Sequence, residues 1–365
     1  MNLATDVCIV GGGPGGALLG YLLAKKGIST IVLERHSSVD KEFRGEHLNQ
    51  DGERVLKKYN LYNKVQEVGL LLMERVEYCH HGQVLKAITP ADGEQHVGIH
   101  VPQKNLLSVL INESKPYQNY KLLMGTKVTK LSFNTHGYVT GLKAIKDDQE
   151  LIIKSKIVVG ADGRFSTVRR LSEIPFSTIK HGYDLLWAKI PSPQGWEPTI
   201  KNALVDGKQL ALFTQEGGFI QIGWNIEEDS YPALKKQSFA PFIEQVIKTF
   251  PELAETVHRH INSWDDFILL KVQSSQSSTW AKDGVVIMGD AAHTMSPTGA
   301  FGINCALLDA DALADVIEEA LDINDVSANQ LRKIEQRRAD VERLQMQQLV
   351  KEKTYQDNFK VTALT

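Results

Sequence analysis

Asp6-Val-Cys-Ile-Val-Gly-Gly-Gly-Pro-Gly-Gly16 runs from a short apolar segment straight into a glycine-rich turn. The segment Asp6 to Val10 suits a parallel strand buried on both faces. Ala17 to Lys26 follows with Leu18, Leu19, Leu22 and Leu23 on one side, which predicts a helix. Gly27 ends it, and Thr30-Ile-Val-Leu33 predicts a second buried strand closing on Glu34. Gly11, Gly13 and Gly16 fit G-x-G-x-x-G. The first glycine permits a sharp turn, the second a close approach of pyrophosphate to backbone N–H groups, the third tight helix–strand contact. Pro14 and Gly15 complete the loop, and the helix N-terminus adds partial positive charge. Glu34 is placed to accept the hydroxyls of an adenosine ribose. Strand, turn, helix, strand and acid together predict a dinucleotide site, without choosing between NAD and FAD.

The chain has 365 residues, enough for a large core and two joined subdomains. Its 42% hydrophobic and 23% charged content is that of a globular protein, and a net charge of −3 gives no sign of a nucleic-acid partner. Cys8, Cys79 and Cys305 are far apart and suggest neither a disulfide framework nor a metal site. No apolar run reaches membrane-spanning length, and the first strand begins too near Met1 to leave room for a signal peptide. A cytoplasmic protein, monomer or homodimer, is expected.

Beyond Glu34 and Arg35 a polar loop leads through Arg44-Gly-Glu-His47 to a helix expected over Leu48 to Tyr59. Arg75 to Tyr78 and Val84 to Ile88 predict a hairpin around His80-His-Gly82. A helix is expected from Gln103 to Ser114, hairpins from Leu122 to Ile153, and a buried strand at Ile157 closing on Asp162-Gly163. Asp184–Ile190, Gln209–Thr214 and Phe219–Ile226 predict an antiparallel sheet, with a turn at Gly217-Gly218. Trp187, Phe213 and Trp224 either line a pocket there or belong to its core. Gly284 to Met288 restores the nucleotide-fold pattern, ending in Gly289-Asp290. Pro297 to Asn304 is a turn opening a helix toward Glu319, and Leu331 to Lys353 predicts one more helix.

The three motifs, Gly11–Gly16 with Glu34, Gly160-Ala-Asp-Gly163, and Gly289-Asp290 with Pro297–Asn304, resemble as a set the single-component FAD-dependent aromatic hydroxylases of the para-hydroxybenzoate hydroxylase fold. The resemblance implies an α/β architecture. Its Rossmann-like FAD-binding domain, of glutathione-reductase type, would comprise residues 1–74, 101–174 and 276–325. An antiparallel-sheet substrate domain (75–100 and 175–275) would be inserted, with C-terminal helices over 326–365. It implies that Gly11, Gly13, Pro14, Gly15, Gly16, Glu34 and Arg35 hold the ADP half of FAD. Arg44, Gln103, Asp162, Gly163, Gly289 and Asp290 would contact the cofactor further along. Pro297, Gly299, Ala300, Gly302, Ile303 and Asn304 would lie against the flavin ring. Where the family often reads Gly-Gly-Gln-Gly at that turn, this chain reads Gly299-Ala-Phe-Gly302. In such proteins NAD(P)H reduces the flavin, O2 is taken up at its C4a atom as a hydroperoxide, and one oxygen passes to a small aromatic or polyketide-like substrate. His47 would then be placed as a base toward a phenol, its ordinary pKa allowing both forms near neutrality. Related reductases of geranylgeranyl type and flavin halogenases share the Gly45-Glu46 segment. The halogenase Trp-x-Trp-x-Ile-Pro box is absent, with Gly223-Trp-Asn-Ile226 in roughly its place. A flavoprotein that only binds a ligand is the third reading.

Overall fold

The computed structural model describes residues 1–39, 46–80 and 82–359. β1 (Asn2–Val10) turns through the glycines into α1 (Pro14–Lys25), and β2 (Thr30–Leu33) returns parallel to β1, with Val7 opposite Thr30 and Val10 opposite Leu33. Val7, Cys8 and Ile9 are fully buried, as a parallel strand covered on both faces requires.

β3 (His47–Leu48) precedes α2 (Gln50–Lys58) and α3 (Tyr62–Val68). The helix expected from Leu48 starts later because Asn49 caps it, its Oδ1 accepting the N–H groups of Asp51 and Gly52 at 3.0 and 3.3 Å. β4 (Leu71–Met73), β5 (Arg75–His80), β6 (Gln83–Ile88) and β7 (Gly98–His100) follow, then α4 (Gln103–Ser114) with the expected bounds. β5 and β6 form the expected hairpin, its His81 lying outside the described residues. β3, β7 and β4 make a small sheet of their own. β8 (Tyr120–Leu123), β9 (Thr126–Phe133), β10 (Val139–Lys146) and β11 (Gln149–Gly160) come next, and α5 (Thr167–Leu171) begins past Asp162-Gly163.

Next come β12 (Phe176–Pro191), β13 (Thr199–Val205), β14 (Lys208–Gln215) and β15 (Phe219–Glu227). α6 (Tyr231–Leu234), α7 (Ala240–Thr249) and α8 (Ala254–His260) lead to β16 (Ile268–Ser277). β17 (Ala281–Lys282), β18 (Val285–Ile287) and β19 (His293–Thr294) precede the long α9 (Phe301–Asp322). Expected as one helix, the C-terminal segment is instead α10 (Ala328–Leu331), α11 (Lys333–Arg337) and α12 (Asp340–Lys353). The second of the two breaks falls at Arg338, whose guanidinium turns inward to the Cys305 carbonyl at 2.9 Å and to the Asp309 carboxylate.

Two sheets result. The first has the order β17-β18-β11-β1-β2-β8, parallel from β18 to β8, with β10 and β9 folded onto β11. The second has the order β19-β16-β12-β15-β14-β13-β5-β6. On its strands the side chains alternate. Leu186, Ala188, Ile190, Leu212, Ile222 and Trp224 pack against Ile243 and Val246 of α7 and Val257 of α8. Burial of each Leu, Ile or Val among them stabilises by about 1.5–3 kcal/mol. The other face carries Trp187, Lys189, Phe213, Gln215 and Gln221, with Gln221 paired to both Lys189 and Phe213. β19, close to the Pro297 turn, pairs with β16, so the two sheets are stitched together there. Among the described residues, no helix is long and apolar enough to cross a membrane and no group of His, Cys, Asp or Glu is arranged to hold a metal.

Candidate active site

The glycine turn is built as the motif demands. Gly11 has φ +109°, and a Cβ there would lie 2.2 Å from the Ala161 carbonyl oxygen. A Cβ on Gly16 would lie 2.0 Å from the Gly11 carbonyl oxygen. Both positions exclude any side chain. Gly13 differs, since a Cβ there meets nothing within 4 Å, which leaves open space over the turn. Gly13 is also the cap residue of α1, with no capping side chain, Pro14 entering the first turn and no acid within it. That leaves uncapped N–H groups and a positive dipole end for an anion. Gly15 lets α1 approach α9, where its Cβ would lie 3.0 Å from the Ala306 carbonyl oxygen. α9 likewise starts without a capping side chain or an acid in its first turn. Two helices with uncapped starts therefore pack against each other, an arrangement that fits an extended dinucleotide such as FAD.

Glu34 is buried against this turn. Its Oε2 accepts the Gly12 N–H at 2.9 Å, and its Oε1 meets the His36 N–H at 2.9 Å and the His36 ring at 2.5 Å. Arg35 is exposed beside it, and Arg44 lies outside the described residues. Gln103 is buried at the start of α4, its N–H donating to Glu46 Oε1 at 2.9 Å. Asp162 works as a helix cap. Its Oδ2 accepts the N–H groups of Thr167 and Val168 at 2.6 and 3.2 Å, and its Oδ1 the Ser166 hydroxyl at 2.5 Å. Burial pushes this carboxyl upward in spite of those donors. Gly163 turns at φ +80°.

Gly289, at φ +57°, donates its N–H to Asp309 Oδ2 at 2.8 Å, and Asp290 is half-buried beside it. Asp309 also takes His293 Nε2 at 2.7 Å and the Arg338 guanidinium. Burial pushes the Asp309 carboxyl up, but His293 and Arg338 hold it below the usual range. His293 is thereby a structural anchor. The next turn leaves Pro297, Ala300, Gly302 and Ile303 half-buried and Gly299 exposed. Gly299 and Ala300 are both left-handed, at φ +77° and +55°, a conformation that costs an alanine roughly 1–2 kcal/mol. Asn304 is a clamp. Its Nδ2 donates to the carbonyls of Ala300 and His47 at 2.6 and 3.2 Å, and its Oδ1 accepts the Asn49 N–H at 3.1 Å.

That clamp brings His47 to the second sheet. The His47 ring packs on His100 at 5.1 Å and on Phe213 at 5.4 Å, and Phe213 meets Trp187 at 5.8 Å. Gly223 makes room for Trp187, since a Cβ there would lie 2.7 Å from the indole. Trp224, on the other face, stacks on Phe242 at 3.8 Å and is core. His100 Nδ1 accepts the Glu216 N–H at 3.0 Å, so its proton sits on Nε2, 3.2 Å from the Glu46 carboxylate. Burial raises the Glu46 carboxyl, yet the His100 and Gln103 hydrogen bonds bring it below its ordinary value. Burial and the neighbouring His100 pull His47 down to about 3, so the expected titration near neutrality is not available to it. Its Nε2 is buried with no partner among the described residues, as is Gln215 Oε1, while Gln215 Nε2 reaches Gln221 Oε1 at 2.5 Å. His100, Gln215 and Gln221 were not anticipated. The alternation of β14 and β15 was the available signal for the two glutamines; His100 had none.

The FAD binding domain family matches residues 4–348. The 6-methylpretetramide 4-monooxygenase of Streptomyces rimosus is 34% identical over 341 residues, 92% of this chain and 80% of its own length. PqsL of Pseudomonas aeruginosa, a probable FAD-dependent monooxygenase, superposes with a TM-score of 0.81 at 20% identity over 98% of both chains. The p-nitrophenol 4-monooxygenase PnpA of Pseudomonas putida superposes with a TM-score of 0.79 at 19% identity, over 97% of this chain and 90% of its own. The chain belongs to the FAD binding domain family and is an FAD-dependent monooxygenase of the para-hydroxybenzoate hydroxylase fold.

Proposed function

We propose that this protein uses NAD(P)H and O2 to hydroxylate a planar, polycyclic, hydroxyl-bearing aromatic of polyketide type. One observation carries the reading. The face of the second sheet opposite α7 and α8 sets two aromatic rings, Trp187 and Phe213, beside buried hydrogen-bonding groups with unfilled capacity, His47 Nε2 and Gln215 Oε1. The aromatic pair offers flat apolar surface to a fused ring system. The unfilled polar atoms, costly to leave buried alone, would be satisfied by its hydroxyl groups. The polyketide-type substrate in the name of the Streptomyces relative agrees with that chemistry.

In this reading residues 1–74, 101–174 and 276–325 hold FAD, 75–100 and 175–275 supply the substrate sheet, and the C-terminal helices close the molecule. The N–H groups at Gly11–Gly16 would bind the pyrophosphate, with Glu34 and Arg35 at the ribose. Arg44, Gln103, Asp162, Gly163, Gly289 and Asp290 would line the path of the cofactor. Pro297, Gly299, Ala300, Gly302 and Ile303 would face the ring, and Asn304 would hold that turn in place. Bound FAD would supply electron transfer from NAD(P)H to O2 and delivery of one oxygen atom to the substrate. The protein's own part is orientation and exclusion of water. His47, held neutral, would accept a hydrogen bond from a substrate hydroxyl and so orient the ring. A group titrating near 3 is too weak a base to deprotonate a phenol at neutral pH.

The test is a screen of NADPH and NADH oxidation against polycyclic phenols, beginning with the anthraquinone emodin, with O2 uptake recorded in parallel. Substrate-stimulated oxidation with matching O2 uptake is expected. Product formed equally well without O2 would replace this reading with a reductase on the same fold.

A further inference from the structure

The function described above makes no use of α12, yet the inner side of this helix is a row of polar side chains directed at the turn beside the flavin position. Gln345 Nε2 donates to the carbonyls of Ser275 and Thr294 at 3.1 and 3.3 Å. Gln348 Nε2 donates to the carbonyls of Ser296 and Thr298 at 2.9 and 2.7 Å. Glu352, in the last turn, then gathers four side chains. Its Oε1 accepts the hydroxyls of Ser296, Thr298 and Tyr183 at 2.7, 2.8 and 3.0 Å, and its Oε2 lies 2.6 Å from His181 Nδ1. His181 is buried and bridges on through Nε2 to the Ser274 hydroxyl at 2.7 Å.

These partners belong to segments far apart in the chain. Ser296 and Thr298 flank Pro297 and run into the left-handed Gly299–Ala300 turn. His181 and Tyr183 sit at the irregularity of β12, where Gly182 has φ +77° and the pairing with β16 shifts between Lys180 and Asp184. Burial works against the Glu352 charge, but His181 and the serine and threonine hydroxyls outweigh it and hold the carboxyl below its ordinary value. A half-buried carboxylate with four partners resists movement of any one of them, because a displaced donor leaves both groups unsatisfied. The α9 turn has no capping side chain of its own. Its geometry on this side is set from outside, by α12.

We propose that Glu352 is a positioning residue for the flavin site, fixing the Ser296–Ala300 turn at the start of α9 and tying it to the bulge of the substrate sheet. This rests on FAD lying against that turn. Loss of Glu352 would let the turn relax and weaken or reorient the flavin, without touching the pyrophosphate cradle at Gly11–Gly16.

Four proteins decide the matter: wild type, Glu352→Ala, Glu352→Gln, and Leu344→Ala, which thins the packing of α12 at a buried apolar position outside the network. FAD is titrated into each apoprotein, the visible absorption band of the bound flavin is recorded, and thermal unfolding is followed without FAD. Glu352→Ala is expected to bind FAD about tenfold or more weakly and to shift the shape of the flavin band. Leu344→Ala is expected to lower the melting temperature while keeping wild-type affinity and spectrum. Glu352→Gln, which keeps an acceptor for the three hydroxyls, should recover most of the affinity. If Glu352→Ala takes up FAD as wild type does with the same spectrum, or if Leu344→Ala loses affinity equally, the proposal is overturned while the functional reading stands. A wild-type apoprotein that takes up no FAD overturns both.

Discussion

The glycine turn at Gly11–Gly16 and the Trp187–Phe213 face of the second sheet are built on opposite principles. The first is made of backbone. Its shape comes from positions where a Cβ would strike a carbonyl oxygen, so one local stretch contains the whole instruction. The second is made of side chains delivered by β3, β7, β12, β14 and β15, and nothing local announces it. A backbone-built site is intolerant of any added atom and reads as a motif. A side-chain-built site tolerates change, sets the substrate, and reads only once the sheet register is in hand.

The sharpest way to break that contrast lies inside the turn itself. Gly11→Ala, with φ +109° and a Cβ 2.2 Å from the Ala161 carbonyl oxygen, is expected to cost about 3 kcal/mol or more in urea unfolding of the apoprotein. Gly13→Ala, which meets nothing within 4 Å, should unfold within about 1 kcal/mol of wild type yet bind FAD more weakly. Equal destabilisation by the two would mean that Gly13 is structural rather than a point of ligand approach.

Glu34→Ala comes next in size. FAD affinity should drop by ~2–3 kcal/mol if the carboxylate makes charge-assisted bonds to the ribose. The apoprotein should also lose roughly 1 kcal/mol, because the Gly12 N–H loses its acceptor. Isothermal titration separates the two, and an unchanged FAD affinity would remove Glu34 from the site.

His47 sharpens the comparison from the substrate side. The ring stays neutral in the folded protein down to about pH 3, whereas its ordinary value is 6.5. Between those limits the unfolded chain binds a proton that the native protein does not. The contribution of this residue is therefore fully present above about pH 6.5 and is lost as pH falls toward 3. The stability difference between wild type and His47→Gln should shrink by about 1–2 kcal/mol from pH 7 to pH 5, measured by chemical unfolding at each pH. A difference independent of pH would show a ring that titrates normally. The smallest effect is expected at Ala300→Gly, which relieves the left-handed residue at φ +55° and should stabilise by up to about 1 kcal/mol in thermal unfolding.

Legibility in the sequence followed the range of the forces involved. α1, α4, the Gly217-Gly218 hairpin and α9 were readable because periodicity, turn residues and glycine placement act over a few neighbours. β13 and β16 were missed, as was the joining of β19 to the second sheet, since strand partners are chosen by long-range packing. The same holds for side chains. Glu34 could be placed from its neighbours, but His100 finds its donor 116 residues away at Glu216. Asn304 was readable as a residue of the turn that opens α9, though not as the clamp that carries His47 to the sheet. The split of the C-terminal helix was hidden because it depends on Arg338 reaching a buried Asp309 on another helix.

The claim that one face of the second sheet receives the substrate while the other is core is tested most directly by coupling efficiency. Hydroxylated product formed per NAD(P)H consumed would be measured for wild type, Trp187→Ala and Trp224→Phe, with the phenol that the screen selects. The account predicts that Trp187→Ala keeps FAD and flavin reduction but yields less product per reductant and more hydrogen peroxide, while folded Trp224→Phe stays coupled as wild type. Full coupling in Trp187→Ala together with uncoupling in Trp224→Phe would contradict it.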